Sequence, residues 1–205
     1  TEDGTDKTYN YDIKYAYGTL TVWPRAIVVK TATEYFIYDG KEHSNTNVEE
    51  ARRIVTGHTA VYDGNGTTPV IDVKRSETDA SIILGTDNEF AVVIFDADGA
   101  DNTYNYNITY EYGLLYVLPK AIIVETGTTD FEYDGEAHSY TDGAVASELV
   151  AGQKVVYDGK GATAVTNVRR DSNGCVLGEP NVHGVLVITE DGTDKTYNYD
   201  IKYAY

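Results

Sequence analysis

The sequence predicts an all-β protein made of tandem β-sandwich domains, from the alternation and the repetition of one segment. In Tyr104–Gly113, large residues alternate with polar residues along the chain. Related segments occur at Tyr9–Gly18 and Tyr197–Tyr205. Because a period of two places alternate side chains on one face of a strand, we expect the tyrosine and isoleucine side chains of these three tyrosine segments to be buried.

The chain also repeats itself over a longer distance. Tyr-Asp-Gly occurs at Tyr38–Gly40 and again, about 95 residues later, at Tyr133–Gly135. The spacing shortens slightly near Asp171–Asn173, and residues 1–17 are identical to residues 189–205. Internal identity of this length indicates a window of a longer tandem array whose unit is a pair of domains.

Prolines mark the domain boundaries, because proline cannot donate to a strand ladder. Residues 1–23 are expected to hold the last two strands of a preceding repeat. Residues 24–118 form the first repeat and residues 119–205 the second repeat. Since the sequence stops at Tyr205, we expect the second repeat to lack the final strand that Gly113–Leu118 supplies to the first.

Short β-branched and aromatic runs between turn dipeptides predict about seven strands per repeat, which is typical of a sandwich. The runs of residues 1–118 are Tyr9–Tyr17, Thr19–Trp23, Ala26–Val29, Glu34–Tyr38, Arg53–Val55, His58–Tyr62, Val70–Val73, Phe90–Phe95, Tyr104–Tyr112 and Gly113–Leu118. Those of the second repeat are Ala121–Val124, Asp130–Tyr133, Val155–Tyr157, Ala164–Val168, Val185–Ile188 and Tyr197–Tyr205. Val48–Arg53 and Ala144–Val150 are predicted as one helical turn or a loop.

Composition narrows the partners that the chain can have. Acidic residues outnumber basic residues by 33 to 16, a formal net charge of −17. This charge argues against nucleic acid and anionic membrane surfaces as partners and favours solubility. No apolar run approaches the length of a membrane-spanning helix, so we expect no membrane insertion. The single cysteine, Cys175, aligns with Ile82 and is predicted to be a small buried apolar residue.

Several motifs occur in one order along the chain: Tyr-Asn-Tyr-x-Ile, Tyr-Gly-x-Leu-x-Val-x-Pro, a short Ile/Val strand, and Tyr-Asp-Gly. This order resembles the tandem MBG- and YDG-type repeats of large bacterial surface proteins, over both full repeats and the leading fragment. The resemblance implies immunoglobulin-like β-sandwiches in arrays on secreted or wall-attached proteins, and therefore an extracellular location at the cell surface. It implies stalk or adhesive modules and brings no catalytic residues.

The sequence carries no enzyme motif. It has no nucleophile-elbow serine, no phosphate-binding glycine loop, no paired zinc histidines and no cysteine pair. We therefore predict that the protein is not an enzyme. His43 and His138 follow the Tyr-Asp-Gly turn in each repeat, and a duplicated position of this kind favours a structural role.

The candidate metal ligands are Asp96, Asp98 and Asp101, three carboxylates within one acidic turn. Because Ca²⁺ takes about six to eight oxygen ligands, this turn is a candidate calcium site, and no other cofactor is predicted. The corresponding turns carry threonine in place of Asp96, and the calcium-loop pattern has no distal glutamate. Asp and Gly are also the residues of an ordinary β-turn, which is the other interpretation.

The sequence thus predicts a non-enzymatic structural repeat of an extracellular bacterial surface protein that forms a rod, stalk or fibre. The alternative is an adhesin module that binds a glycan or a host protein, with Val48–Arg53 and Ser139–Gly143 forming an aromatic groove. The predicted partners are neighbouring repeats, or copies of the same protein that pair head to tail. In that pairing, Thr19–Val22 of one chain would complete the second repeat of another.

Overall fold

The structure, a computed structural model, describes residues 3–204 of the chain and is all-β, as predicted. Helical structure among these residues consists of three single 3-10 turns, at Thr8–Asn10, Thr103–Asn105 and Thr196–Asn198. The strands of the first repeat are β1 (Arg25–Thr31), β2 (Glu34–Ile37), β3 (Val48–Arg52), β4 (Thr59–Tyr62), β5 (Thr86–Asp87), β6 (Val92–Phe95), β7 (Tyr106–Glu111) and β8 (Leu114–Leu118). Those of the second repeat are β9 (Lys120–Glu125), β10 (Val145–Ala146), β11 (Gln153–Tyr157), β12 (Arg169–Arg170), β13 (Val176–Leu177), β14 (Val185–Thr189) and β15 (Tyr199–Ala204).

Strand β1 is the centre of the first repeat's main sheet. It pairs antiparallel with β3 and parallel with β7, and the antiparallel pair β4–β6 shares its core. The β-branched sequence of β1 buries Ile27, Val29 and Thr31 on alternate positions. We call β1, β3, β4, β6 and β7 the first module.

The chain leaves the first module through Gly113, where the backbone approaches too closely for a side chain. A Cβ at Gly113 would lie 2.5 Å from the carbonyl oxygen of Thr31. The Gly113 N–H donates to Thr31 Oγ1 at 2.9 Å, and its carbonyl accepts from the Asn88 N–H at 2.8 Å. This contact turns the chain directly into β8, which pairs parallel with β2 and antiparallel with β5. We call β2, β5 and β8 the seam sheet.

The second repeat builds a module with the same pairings. Strand β9 lies between β10, antiparallel, and β15, parallel, and β11 pairs antiparallel with β14. Its buried residues Ile122, Val124 and Tyr199 stand at the positions of Ile27, Val29 and Tyr106. We call β9, β10, β11, β14 and β15 the second module; the short pair β12–β13 lies outside it.

One buried cluster crosses the boundary between the repeats at Pro119. It contains Tyr38, Val70, Val73, Leu115 and Val117 from the first repeat, and Ile122, Val124, Val185, Val187 and Tyr199 from the second. The first module has a separate core of its own. The seam sheet of the first repeat therefore packs against the second module, and we call this contact the seam.

Residues 3–24 form no strand, although Tyr9–Tyr17 and Thr19–Trp23 were predicted as the last strands of a preceding repeat. Their side chains are exposed throughout. A tyrosine strand needs a parallel partner, and the two such partners are already taken, β1 by β7 and β9 by β15. An extended segment with no partner strand cannot form the interstrand hydrogen bonds of a ladder. The side chain of Trp23, at the end of this segment, is exposed as well.

The alternation of the tyrosine segments begins later than predicted. Tyr106 and Tyr199 are buried, but Tyr104 and Tyr197 are exposed because they lie in the 3-10 turns that precede β7 and β15. Asn198, expected to point outward, is fully buried. The final residue of the third segment, at position 205, lies outside the described residues.

Val48–Arg53, predicted as a helical turn or a loop, supplies strand β3 instead. It pairs antiparallel with the edge of β1, and Arg53, the residue after the strand, has a left-handed φ of 64°. Glu148, at the corresponding place after β10, has a φ of 58°. Besides Tyr9–Tyr17 and Thr19–Trp23, four further predicted strands are not strands in the structure: Arg53–Val55, Val70–Val73, Asp130–Tyr133 and Ala164–Val168.

Candidate functional site

A half-buried ion pair joins the two repeats at the seam. Lys195 Nζ donates to both carboxylate oxygens of Asp72, at 3.0 and 2.8 Å, and these bonds raise the pKa of Lys195 above its ordinary value. Asn198 Nδ2 donates to the same carboxylate at 2.7 Å, while its Oδ1 accepts from the Val73 N–H at 2.6 Å. The 3-10 turn before β15 places Asn198 in this position. The two repeats are thus held together at the seam by charge and by hydrogen bonds as well as by apolar contact.

Two tyrosines from different repeats meet beside this ion pair. The rings of Tyr38 and Tyr199 are edge-to-face, with centroids 5.4 Å apart. Gln153 bridges them, since its Nε2 donates to Tyr38 Oη at 2.8 Å and its Oε1 accepts from Tyr199 Oη at 2.7 Å. Tyr199 Oη also accepts from the Val150 N–H. Burial raises the pKa of Tyr199 above the ordinary value of a tyrosine.

His58 has a role that the sequence did not reveal. It aligns with Gln153, a residue of a different type. In the structure, His58 Nδ1 lies 2.9 Å from Tyr106 Oη, so both residues satisfy the buried tyrosine hydroxyl of their own module. Side-chain chemistry is the feature of the sequence that could have indicated this shared role. Histidine and glutamine each have one polar atom that can bond to the tyrosine hydroxyl and a second polar atom that can bond elsewhere.

An open groove of about 580 Å³ lies on the second repeat. Its lining includes Phe131, Tyr133, Val165, Val168 and Pro180. These residues correspond to the neighbours of β8 in the first repeat, namely Phe36, Tyr38, Val70, Val73 and Asp87. The groove therefore occupies the place that β8 fills in the first repeat.

The exposed fractions of equivalent side chains in the two repeats show that the groove is open. Tyr38 is 2% exposed and Tyr133 is 64% exposed; Val73 is 3% exposed and Val168 is 53% exposed. Residues 129–132, which match β2, form no strand. Apolar side chains that are buried in the first repeat are open to solvent in the second. The reason is that β8 pairs with β2, whereas no strand pairs with residues 129–132.

A segment with the pattern of β8 is exposed elsewhere in the chain. Leu20 and Val22 occupy the positions of Leu115 and Val117, in the same Gly-x-Leu-x-Val-x-Pro motif. Leu20 is 102% exposed, whereas Leu115 is 1% exposed. In the first repeat, a strand with this pattern, β8, fills the corresponding place. Among the described residues, Thr19–Trp23 therefore has no strand partner and the groove holds no strand.

No protein-family model, curated protein or solved structure matches this chain. Its function is therefore inferred from its own residues. Within residues 3–204, no helix has the length and apolar character needed to cross a bilayer.

The acidic turn uses two of its carboxylates to close its own backbone. Asp96 Oδ1 accepts from the N–H groups of Asp98 and Ala100, and Asp101 Oδ1 accepts from the N–H and hydroxyl of Thr103. These hydrogen bonds lower the pKa of Asp96, chiefly through Ala100, and the pKa of Asp101, chiefly through the Thr103 hydroxyl. Asp98 is exposed. In the described part of the chain, no three His, Cys, Asp or Glu side chains are grouped to hold a metal ion.

His43 and His138 make the same contacts in the two repeats, as expected of a structural position. Each ring stacks on a phenylalanine, and each Nε2 lies within 2.9 Å of the turn aspartate: Phe36 and Asp39 for His43, Phe131 and Asp134 for His138. The Tyr-Asp-Gly turn and its histidine therefore form one local unit.

Cys175 is exposed, so its prediction as a buried apolar residue is wrong. Ile82, its counterpart, is also exposed. Both residues lie in an outer turn, beside the β12–β13 pair in one repeat and beside the Arg75–Ile83 bridge in the other.

Proposed function

We propose that the chain is a non-enzymatic structural segment of an extracellular bacterial surface protein. In this proposal, tandem immunoglobulin-like β-sandwich repeats of the MBG/YDG type form a rod, stalk or fibre. The observation that supports it best is the seam, where one buried cluster takes side chains from both repeats. A shared core resists rotation of one repeat against the other, because rotation would expose apolar surface to water.

The polar contacts of the seam support the same proposal. Side chains on Lys195, Asn198 and Gln153 of the second repeat all bond to groups of the first repeat. Arg75 Nε also donates to the Tyr197 carbonyl oxygen at 2.8 Å. Directional bonds of this kind define one relative orientation, which is what a stiff stalk needs from each junction.

The proposal is tested by measuring whether the two repeats keep one orientation. Cys175 is the only cysteine of the chain and is exposed, as is its counterpart Ile82. Spin labels on Cys175 and on an Ile82→Cys substitution therefore report the distance across the seam. We expect a narrow distribution of distances in the labelled protein.

Tyr38→Ala should broaden that distribution, because Tyr38 is buried in the seam. Tyr133→Ala is the matched control at the corresponding exposed position, and it should leave the distribution narrow. A broad distribution without either substitution, or an equal response to both, would refute the stiff junction and with it the stalk proposal.

A ligand-binding adhesin module is the second candidate function, and the aromatic lining of the groove favours it. Of the two loops expected to form such a groove, Val48–Arg53 is largely strand β3, but Tyr140 from Ser139–Gly143 lines the groove with Phe131 and Tyr133. Exposed rings can stack on sugars or on protein side chains. Calorimetry against a panel of glycans tests this candidate, and binding that Tyr140→Ala abolishes would support it.

A further inference from the structure

We propose that the groove of the second repeat binds Thr19–Trp23 of a second copy of this chain, as a strand parallel to residues 129–132. The inference rests on the proposed stalk function and identifies the segment that would fill the open groove. The first repeat contains the template for it, since β8 lies between β2 and β5 with Leu115 and Val117 buried. Strand addition of this kind joins unpaired backbone groups to a ladder and fills apolar pockets with alternate side chains.

The incoming strand carries the side chains that the groove lacks. Leu20 and Val22 would stand where Leu115 and Val117 stand in the first repeat, against Tyr133 and Val168. Residues 3–24 have no strand partner and exposed side chains, so the segment is available without unfolding any part of its own chain. Binding therefore costs mainly the ordering of about five residues.

The module behind the incoming strand also fits the second repeat. In the seam within one chain, Asp72 faces Lys195 and Asn198. At the proposed junction the corresponding residues are Asn167 on the groove side and Asn102 and Asn105 on the incoming first module: three amides. Asparagines replace both Asp72 and Lys195 there, so neither side would bury an unpaired charge.

The tyrosine bridge has a counterpart as well. Within one chain, Gln153 bonds to Tyr199 of its own module and to Tyr38 across the seam. At the proposed junction His58, already 2.9 Å from Tyr106 Oη through Nδ1, would use its second ring nitrogen for Tyr133. Gly135, which corresponds to Gly40 at the seam, has open space around its Cβ position, whereas Gly40 is in contact with Val150.

Sedimentation velocity of the 205-residue protein over a range of concentrations tests the proposal. We expect association that grows with concentration, and a blue shift of the emission of Trp23, the only tryptophan of the chain. Leu20→Lys should weaken association at least about tenfold, because a lone ammonium group would be buried in the groove. Val168→Lys, from the groove side, should do the same.

Thr21→Lys is the matched control, since it adds the same charge on the opposite face of the strand and should change association by no more than about threefold. A synthetic peptide of residues 18–25 should compete with association and shift the protein to monomer. The proposal is overturned if the protein stays monomeric at every concentration, or if Leu20→Lys and Val168→Lys associate as the parent does. Either result leaves the spin-label distance across the internal seam unchanged, so the stalk proposal is tested separately.

Discussion

At the scale of single residues, identical side chains have different environments in this chain. Tyr11, Tyr106 and Tyr199 hold the same place in three tyrosine segments, but Tyr11 is exposed and the other two are buried. The buried hydroxyls are satisfied by side chains at one shared position, His58 and Gln153. The energetic role of each tyrosine therefore depends on the strand that pairs with it.

Tyr199→Phe should lower the free energy of unfolding by about 1–2 kcal/mol, because the Val150 N–H and Gln153 lose their partner while the ring volume is kept. Urea denaturation followed by circular dichroism measures the change. Tyr11→Phe is the control at the exposed equivalent and should have no measurable effect. Equal effects of the two substitutions would contradict the assignment of Tyr199 to the core.

Alkaline pH should destabilise the protein through tyrosines whose pKa values are raised. Partial loss of solvent raises the pKa values of the buried Tyr199 and of the more exposed Tyr112 and Tyr197 above the ordinary 10.0. A raised pKa in the folded state means that stability is fully present below pH 10 and falls as the pH rises through the folded pKa values. Thermal unfolding between pH 8 and about pH 11 checks this, and Tyr199→Phe should reduce the slope above pH 10.

At the scale of elements, the seam sheet exists only where β8 pairs with β2. Tyr38 and Val73 form one buried cluster with Leu115 of β8 and the second module, whereas their counterparts Tyr133 and Val168 line an open groove. The strand content of residues 34–37 and 129–132 differs for the same reason. A strand at the edge of a sheet is thus formed by its neighbour as much as by its own sequence.

Val73→Ala should cost about 1–3 kcal/mol in the free energy of unfolding, since it leaves a cavity in the shared cluster. Val168→Ala, the same substitution at the equivalent exposed position, should cost less than about 0.5 kcal/mol in the dilute protein. Chemical denaturation at low concentration measures both. A large effect of Val168→Ala under these conditions would mean that the groove is closed within a single chain.

The acidic turn should not depend on calcium. Asp96 and Asp101 already accept hydrogen bonds from the turn itself, and these bonds use part of the acceptor capacity that a metal ion would need. We expect millimolar CaCl₂ and EDTA to give the same melting temperature. A rise in melting temperature with calcium that Asp96→Asn removes would restore the calcium-site hypothesis.

At the scale of the whole molecule, the chain combines two cores, one held by the first module and one shared across the seam. Its net charge of −17 disfavours nonspecific association, so contacts between copies need a specific apolar and hydrogen-bonded match. The groove and the exposed segment provide such a match at opposite ends of the chain.

Hydrogen exchange should distinguish the two repeats in dilute solution. Amides of Glu34–Ile37 pair with β8, whereas residues 129–132 have no ladder. We expect the amides of 129–132 to exchange at least about tenfold faster than those of Glu34–Ile37. Protection of residues 129–132 should rise with concentration; equal exchange in dilute protein would contradict the open groove.

The sequence alone determined the class of the fold and most of its strands. Alternation and short β-branched runs predicted β1, β4, β6 and β8, and also β9, β11 and β14 of the second repeat, because side-chain period and strand propensity are local properties. Repetition likewise predicted that His43 and His138 share one structural role. The order of motifs also led to the expectation that Thr19–Val22 has no partner in its own chain, although the prediction that this segment is a strand was wrong.

Tertiary structure decided which copy of a repeated segment becomes a strand. Residues 1–17 and 189–205 have the same letters, yet Tyr199–Ala204 pairs with β9 while residues 3–17 pair with nothing. Backbone hydrogen bonds between strands are long-range contacts, and only one segment can occupy each edge of β1 or β9. Pairing with β1 likewise made Val48–Arg52 an edge strand, and the groove is open beside residues 129–132 because no strand pairs with them.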